Sequence, residues 1–320
     1  MRPLFLLGLV LVLCLIPAVW STTAAERKAS AAEIVLCSYN LKNWLVMDRF
    51  DGEKTVLSAP KPEAEKQKVV SIIAAIHPDI LGICEIGTED DLRDLQARLK
   101  AAGLDLPNIE FSHGGDEHRS LALLTHLPIQ ARNSQKGLKY QIGGVEFPFQ
   151  RGILDVTVRV AEDFNLHCLG VHLKSKRDIP EADQEVMRRN EARLLRAHID
   201  GILATDANAK IVAYGDFNED RNGAPISEVM GSRNSPNYME DLLIKDINGE
   251  VWTHFWDSAD AYSRFDYFFM SRSLRPYVDF KRSFVYSSKD FDKASDHRPI
   301  VMRFGLETVV NRNKRKAASQ

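Results

Sequence analysis

The chain has 320 residues, 44% hydrophobic and 27% charged, an ordinary globular composition long enough to bury a sizeable core in one large α/β domain or two smaller ones. Its 42 basic and 44 acidic side chains give a formal net charge of -2, and the balance turns more acidic once Arg2 and the tail residues Arg312, Lys314, Arg315 and Lys316 are set aside. A protein that coats long duplex DNA needs a basic stripe, so this balance argues against a general DNA scaffold.

The N-terminus reads Arg2, an apolar run from Leu4 to Val19, then small and polar residues through Ala25. That is the pattern of a secretory signal over residues 1–25, with cleavage expected between Ser21 and Ala25. The competing reading is an uncleaved membrane anchor, because the run is only slightly shorter than the roughly 20 residues that span a bilayer. Cleavage would leave no stable insertion and a secreted or periplasmic protein. It would also leave Cys37, Cys84 and Cys168, an odd number, each among apolar strand residues, which suits buried small hydrophobes better than a disulfide framework.

Residues Glu33–Tyr39 (EIVLCSY) form a β-prone apolar run ending at Asn40. Pro62, Glu63 and Glu65 open a helix whose Val69, Ile72, Ile73 and Ile76 recur at helical spacing before His77 and Pro78 stop it. A second apolar strand, Asp79–Glu85, follows. Thr88 with Asp91 caps a helix carrying Leu92, Leu95 and Leu99, and Gly103 is placed to end it.

Strands are expected at Ser120–Thr125, Gly152–Val160 and Asn165–His172, then a helix over Pro180–Leu203 with a stripe of Leu195, Ile199 and Ile202. Lys210–Tyr214, Arg264–Met270 and Pro299–Phe304 are the remaining expected strands, with a loop-rich stretch from Asp220 to Asn248. The absence of repeats and low-complexity linkers gives one domain over residues 31–306 and a basic tail, expected to be disordered, over 307–320.

Acidic, Asn and His residues recur where these strands end: Asn40, Glu85, His172, Asp216 with Asn218, Asp266, and Asp296 with His297. Strand ends on one edge of an α/β fold converge in space, and that is where a metal and a substrate are held. A helix-borne motif would instead place its ligands three or four residues apart. His113, Asp116 and His118 resemble a metal cluster but sit in a Gly-containing segment that reads as an exposed polar turn, and Lys174 and Lys176 read as solvated lysines after a strand. Trp252, His254, Trp256 and Tyr262 form an aromatic cluster that could stack a base, cap a lipid headgroup or pack at the edge of the core.

The strings SYNLKNW, DILGICE, LALLTHLPI, VHLKSK, YGDFN, SRFDYFF and SDHRP, in this order over Ile34 to Phe304, resemble the motif series of the endonuclease/exonuclease/phosphatase superfamily. It includes deoxyribonuclease I, exonuclease III, abasic-site endonucleases, inositol polyphosphate 5-phosphatases and neutral sphingomyelinases. The resemblance implies an α/β fold of four layers, αββα, with two mixed sheets face to face and helices outside. It implies that Glu85 is the main metal carboxylate, with Asn40 and Asp296 supporting the metal. His297 would be the catalytic His, oriented by Asp266. Asp216 would orient or deprotonate the attacking water, Asn218 and His172 would contact the phosphate, and Arg151 would bind the substrate.

Carboxylate and amide oxygens suit a hard cation, so Mg²⁺ is expected, with Mn²⁺ or Ca²⁺ as alternatives. The implied activity is hydrolysis of a phosphoester by in-line attack of water, on nucleic acid in the leading reading and on a sphingomyelin-type lipid headgroup or an inositol phosphate in the second. The protein is expected to be a monomer. A catalytically inactive binding module is the reading from a different class, and retention of every carboxylate and His of the motif series speaks against it.

Overall fold

A computed structural model describes residues 33–305; the leader and the basic tail read from the sequence lie outside the described residues. In chain order, β1 (Ile34–Trp44) runs into a hairpin of β2 (Met47–Phe50) and β3 (Thr55–Ala59), followed by α1 (Glu63–Ile76), β4 (Ile80–Ile86) and α2 (Glu89–Ala101). Next come β5 (Asn108–Ser112), β6 (Ser120–Thr125), β7 (Ile129–Arg132), a hairpin of β8 (Lys139–Ile142) and β9 (Val145–Pro148), β10 (Leu154–Ala161) and β11 (Phe164–His172). The chain continues through α3 (Gln184–Thr205), β12 (Lys210–Asp216), α4 (Ala224–Met230), β13 (Met239–Asp241), a hairpin of β14 (His254–Trp256) and β15 (Ala261–Ser263), β16 (Asp266–Ser271), β17 (Phe284–Val285) and β18 (Ile300–Phe304).

Two six-stranded mixed sheets carry the molecule, ordered β17-β18-β1-β4-β6-β5 and β13-β16-β12-β11-β10-β7. Each is built around one parallel pair, β1 with β4 and β11 with β12, flanked by antiparallel neighbours. Alternation along each strand divides the apolar residues into three clusters. Ile34, Leu36, Ile80 and Leu121 of the first sheet meet Leu154, Cys168, Val212 and Phe268 of the second. Val35, Cys37, Leu81 and Ile83 pack under α1 and α2, while Leu169, Val171, Ile211 and Phe269 pack under α3. These are the four layers that the motif series implied. Among the described residues Cys37, Cys84 and Cys168 are free and buried.

The first two helices start and stop where the sequence dictates, whereas α3 begins at Gln184 behind an Asp183 cap and not at Pro180. Thr88 and Asp91 complete a reciprocal capping box, and α1 ends at His77 in the left-handed conformation (φ 54°) before Pro78. In α3 the stripe closes on Leu203 in place of Ile202, which is only half-buried. The stretch expected as loop between Asp220 and Asn248 contains α4, started by Pro225 in its first turn, and the edge strand β13.

Sheet spacing is set locally by a glycine. A Cβ placed on Gly82 of β4 would fall inside the ring of Tyr214, a fully buried residue of β12 in the opposite sheet, and Gly170 lies against the same ring. Gly82→Ala is therefore expected to force the sheets apart and to cost about 1–3 kcal/mol, read as a lower midpoint in chemical denaturation. An unchanged midpoint would show that the ring is free to move.

Candidate functional site

The same alternation that builds the inter-sheet core carries polar side chains to its end. Asn40 continues the Ile34, Leu36 face of β1; His172 the Leu166, Cys168 face of β11; Asp216 the Val212, Tyr214 face of β12; and Asp266 the Phe268, Met270 face of β16. Register does the rest: His172 pairs with Asp216 across the parallel ladder, and Asp216 pairs with Asp266 across the antiparallel one. Three titratable groups thus stand in one row across three strands. They are buried to within 2% of full exclusion, as is Asn40.

Glu85 reaches this row by breaking the alternation. Leu81 and Ile83 of β4 face the helices, and regular pleating would send Glu85 there too; instead Glu85 takes φ 64°, the ladder to β6 slips between Cys84 and Ile86, and Ile86 takes the helix-facing place. Left-handed backbone at a non-glycine residue is uncommon and strained, and it persists where surrounding contacts enforce it. Here Asn43 N donates to Glu85 Oε2 (2.8 Å), and Asn40 Nδ2 lies 3.3 Å from Glu85 Oε1.

Asp216 is the hub. Its Oδ2 accepts from Asn40 Nδ2 at 3.0 Å, and its Oδ1 accepts from Asn218 N at 2.8 Å. His172 Nε2 and His297 Nε2 approach Oδ2 to 3.6 and 3.5 Å. His172 Nε2 also lies 3.9 Å from Glu85 Oε1. His297 is oriented from behind, its Nδ1 2.7 Å from Asp266 Oδ2.

The loop before β18 is tied in by Ser295, whose hydroxyl donates to Asn40 O (2.8 Å), accepts from His297 N (3.1 Å) and lies 3.4 Å from Asp296 Oδ1. The geometry therefore brings Asn40, Glu85, His172, Asp216, Asp266 and His297 together, with Asp296 joined through Ser295. Asn218 Nδ2 donates to Leu173 O (3.1 Å), which links the loops after β11 and β12.

The two histidines occupy opposite charge states. Burial alone would lower the pKa of His297, but the carboxylates of Asp266 and Asp216 outweigh it and raise the value to about 10. His172 is pushed well below the ordinary value by burial, reinforced by the nearby cations Arg151, His297 and Arg119, so its ring is neutral. Burial also raises Asp216 to about 7, against the pull of His297.

Among the described residues no group of three or more His, Cys, Asp or Glu is placed to hold a metal ion. The oxygen donors offered are the Glu85 carboxylate, the Asp296 carboxylate held beside Ser295, and the Asn40 amide oxygen, which accepts from Lys42 N (3.0 Å); this is chemistry of the kind a hard divalent cation takes. His113 and His118 are exposed, in keeping with a polar turn.

Two buried charged residues that the sequence did not single out brace the site from α3. Arg188 forks onto Glu219 (2.9 and 3.0 Å) and reaches Lys174 O (3.0 Å). One turn later Glu191, fully buried, accepts from Lys174 N (2.6 Å) and Gln150 N (3.3 Å). Together they fasten the segments that carry Arg151, His172 and Asn218. Lys174, expected to be solvated, is buried with Nζ turned onto the carbonyls of Ser175 and Arg177. The spacing of Arg188 and Glu191 on one helix face was the available signal, masked by the surrounding run of exposed Arg and Glu.

The aromatic cluster flanks the site. His254 bridges to His297, with ring centroids 4.7 Å apart, and stacks on Phe265. Trp252 packs on Tyr262 and lies over the Arg298 guanidinium, while Trp256 and Tyr262 are more than half exposed.

Comparison with known proteins gives one family. The family described as Endonuclease/Exonuclease/phosphatase matches residues 59–292, well over half of the chain. Truncated TDP2 from Caenorhabditis elegans is similar at 18% identity with a TM-score of 0.57, covering 86% of this chain and 98% of that one. The human Nocturnin catalytic domain, solved with bound sulfate, aligns at 16% identity and TM-score 0.58, covering 85% and 94%. Beta toxin from Staphylococcus aureus aligns at 12% and 0.57, covering 84% and 99%. At these identities the structures support the fold alone. No curated protein matches the chain.

Two outcomes follow. Arg188→Ala leaves Glu219, in the loop after β12, with Lys176 Nζ at 3.4 Å as its remaining cationic partner and is expected to cost about 3 kcal/mol of stability, measured by denaturant unfolding; a loss below about 1 kcal/mol would show that the pair is dispensable. Because the folded-state pKa of His297 is raised, its contribution to stability is complete below about 6.5 and is lost as pH rises through about 10. Asp266→Asn should flatten the decline in unfolding free energy over that window. An unaltered pH profile would remove Asp266 as the source of the shift.

Proposed function

Since the chain belongs to the endonuclease/exonuclease/phosphatase family, whose members act on phosphoester bonds, we propose that it is an exported, divalent-metal-dependent phosphodiesterase of nuclease type. The observation that carries this reading is the convergence on Asp216 of two histidines, one positioned by its own carboxylate, opposite Glu85 and its amide neighbour Asn40. Export rests on the N-terminal apolar run followed by small residues.

Glu85, Asp296 and Asn40 would hold the cation, Mg²⁺ first by its preference for oxygen donors. When bound, it would neutralise charge developing on the phosphoryl and leaving-group oxygens. Asp216, close to its proton-transfer range, orients the attacking water and takes its proton. His297, held as imidazolium between Asp266 and Asp216, donates to the phosphoryl group. His172, neutral and turned toward Asp216 and Glu85 through Nε2, offers a hydrogen bond without adding charge. Asn218 holds the Asp216 loop against Leu173. Arg151, buried beside His172, contacts a substrate oxygen.

The exposed Trp256 and Tyr262 beside His254 support stacking of a nucleobase. The same pair favours a second reading, in which the hairpin covers a lipid headgroup. Purified chain offered plasmid DNA, RNA, sphingomyelin and bis(p-nitrophenyl) phosphate in Mg²⁺ is expected to cleave the nucleic acids and the nitrophenyl diester. Chelator should abolish turnover, and His297→Ala should lower it by about 10³-fold. Equal product release in chelator, or by the His297→Ala protein, would overturn the reading.

A further inference from the structure

The loop before β6 and the segment before β10 are joined by backbone hydrogen bonds, and the arginines that they carry, Arg119 and Arg151, both act on His172. Asp116 N donates to Gln150 O (2.7 Å) and Gly115 N to Phe149 O (3.3 Å). A Cβ on Gly114 would press against Phe149 O, Gln150 O and Gly152 N at 2.5–2.7 Å, so the approach requires glycine. Asp116 Oδ1 is used internally, accepting from the backbone N–H groups of His118 and Arg119. Its Oδ2 faces two guanidinium groups at once, Arg151 Nε at 3.4 Å and Arg119 Nη1 at 3.9 Å.

One carboxylate oxygen therefore serves two cations, and serves neither fully. Arg151 is 7% exposed, yet its buried Nε makes no hydrogen bond among the described residues. Arg119 is fixed from the other side, its Nε donating to Asn43 Oδ1 (2.8 Å), the residue whose N–H holds Glu85. Lys174, another cation acting on His172, is spent on backbone carbonyls. Two guanidinium groups held close together, one nearly buried and under-paired, are costly unless an anion completes them. Their planar donor forks match a phosphate.

We propose that Arg119 and Arg151, bridged by Asp116, form a second phosphate subsite beside the reacting one, so that the preferred substrate is a nucleotide chain carrying a further phosphate next to the scissile diester. This rests on the phosphodiesterase reading and narrows it. A choline-bearing lipid would bring a cation to this position and is disfavoured by the same two charges.

The full chain in Mg²⁺ is assayed on the thymidine dinucleotide TpT and on its 5′- and 3′-phosphorylated forms, the ratio of KM values being taken within each protein. In the wild type one end phosphate should lower KM by roughly tenfold, the scale of a charge-assisted contact. Arg119→Gln and Arg151→Gln should bring that ratio close to one, whatever they do to the absolute rate. If either variant fails to fold, inhibition of the wild type in excess Mg²⁺ decides: thymidine 3′,5′-bisphosphate should compete far better than thymidine 5′-monophosphate. Equal KM values for all three dinucleotides in the wild type, retention of the ratio in both variants, or faster turnover of sphingomyelin than of any dinucleotide would overturn the subsite and leave metal-dependent hydrolysis standing. No hydrolysis of any diester would remove the phosphodiesterase reading and the subsite with it.

Discussion

The side-chain amide of Asn40 holds the two halves of the site together. It grows from the first sheet and donates to Asp216 in the second, 176 positions away, while lying beside Glu85 of its own sheet. Without that bridge the buried carboxylate of Asp216 and the partly exposed one of Glu85 would stand at the end of an apolar core and repel each other. With it, the oxygen-rich Glu85 side and the histidine-flanked Asp216 side are fixed in one geometry. A dry, pre-set arrangement of this kind makes hydrogen bonds and charges effective at a reacting phosphate.

The cost of placing so much polarity at the end of the core is offset by structure behind it. Arg188 and Glu191 reach from α3 to the backbone of the active loops, and the single Tyr267 hydroxyl lies between the carbonyls of Glu219 (2.9 Å) and Arg264 (2.8 Å). These contacts lie away from the catalytic side chains but determine where their backbone can be. Two residues of the site, Glu85 and Asn218, take left-handed φ. Stability held in the bracing network permits conformations at the site that those residues would not adopt alone.

Most of the framework was legible because it depends on local pattern. Continuous apolar runs such as Asp79–Glu85 and Ser120–Thr125 marked central strands, and Pro62, Thr88 and His77–Pro78 marked helix ends. Glu85 drew attention as a charge directly after such a run. What escaped depends on backbone conformation that residue type does not announce, or on partners distant in sequence. The parity break that turns Glu85 inward requires a positive φ that no residue-type rule assigns to glutamate. Lys174 looked like any lysine after a strand, because the carbonyls that capture it belong to a turn invisible in the spacing. The short hairpins around Met47–Ala59 and Lys139–Pro148 lack long apolar alternation, and α4 carries too few residues for a helical stripe. Asp116 was read as part of a polar turn, and it is one; its second oxygen acquires meaning only when Arg151 is brought to it.

The coupling between Asn40 and Asp216 is the quantity on which the whole account turns, and a double-mutant cycle in kcat/KM on bis(p-nitrophenyl) phosphate measures it directly. Asn40→Ala, Asp216→Ala and the double variant should be strongly non-additive, Asn40→Ala adding little once Asp216 has been removed. Losses that simply multiply would show two independent residues and would contradict a site held together across the sheets by that amide.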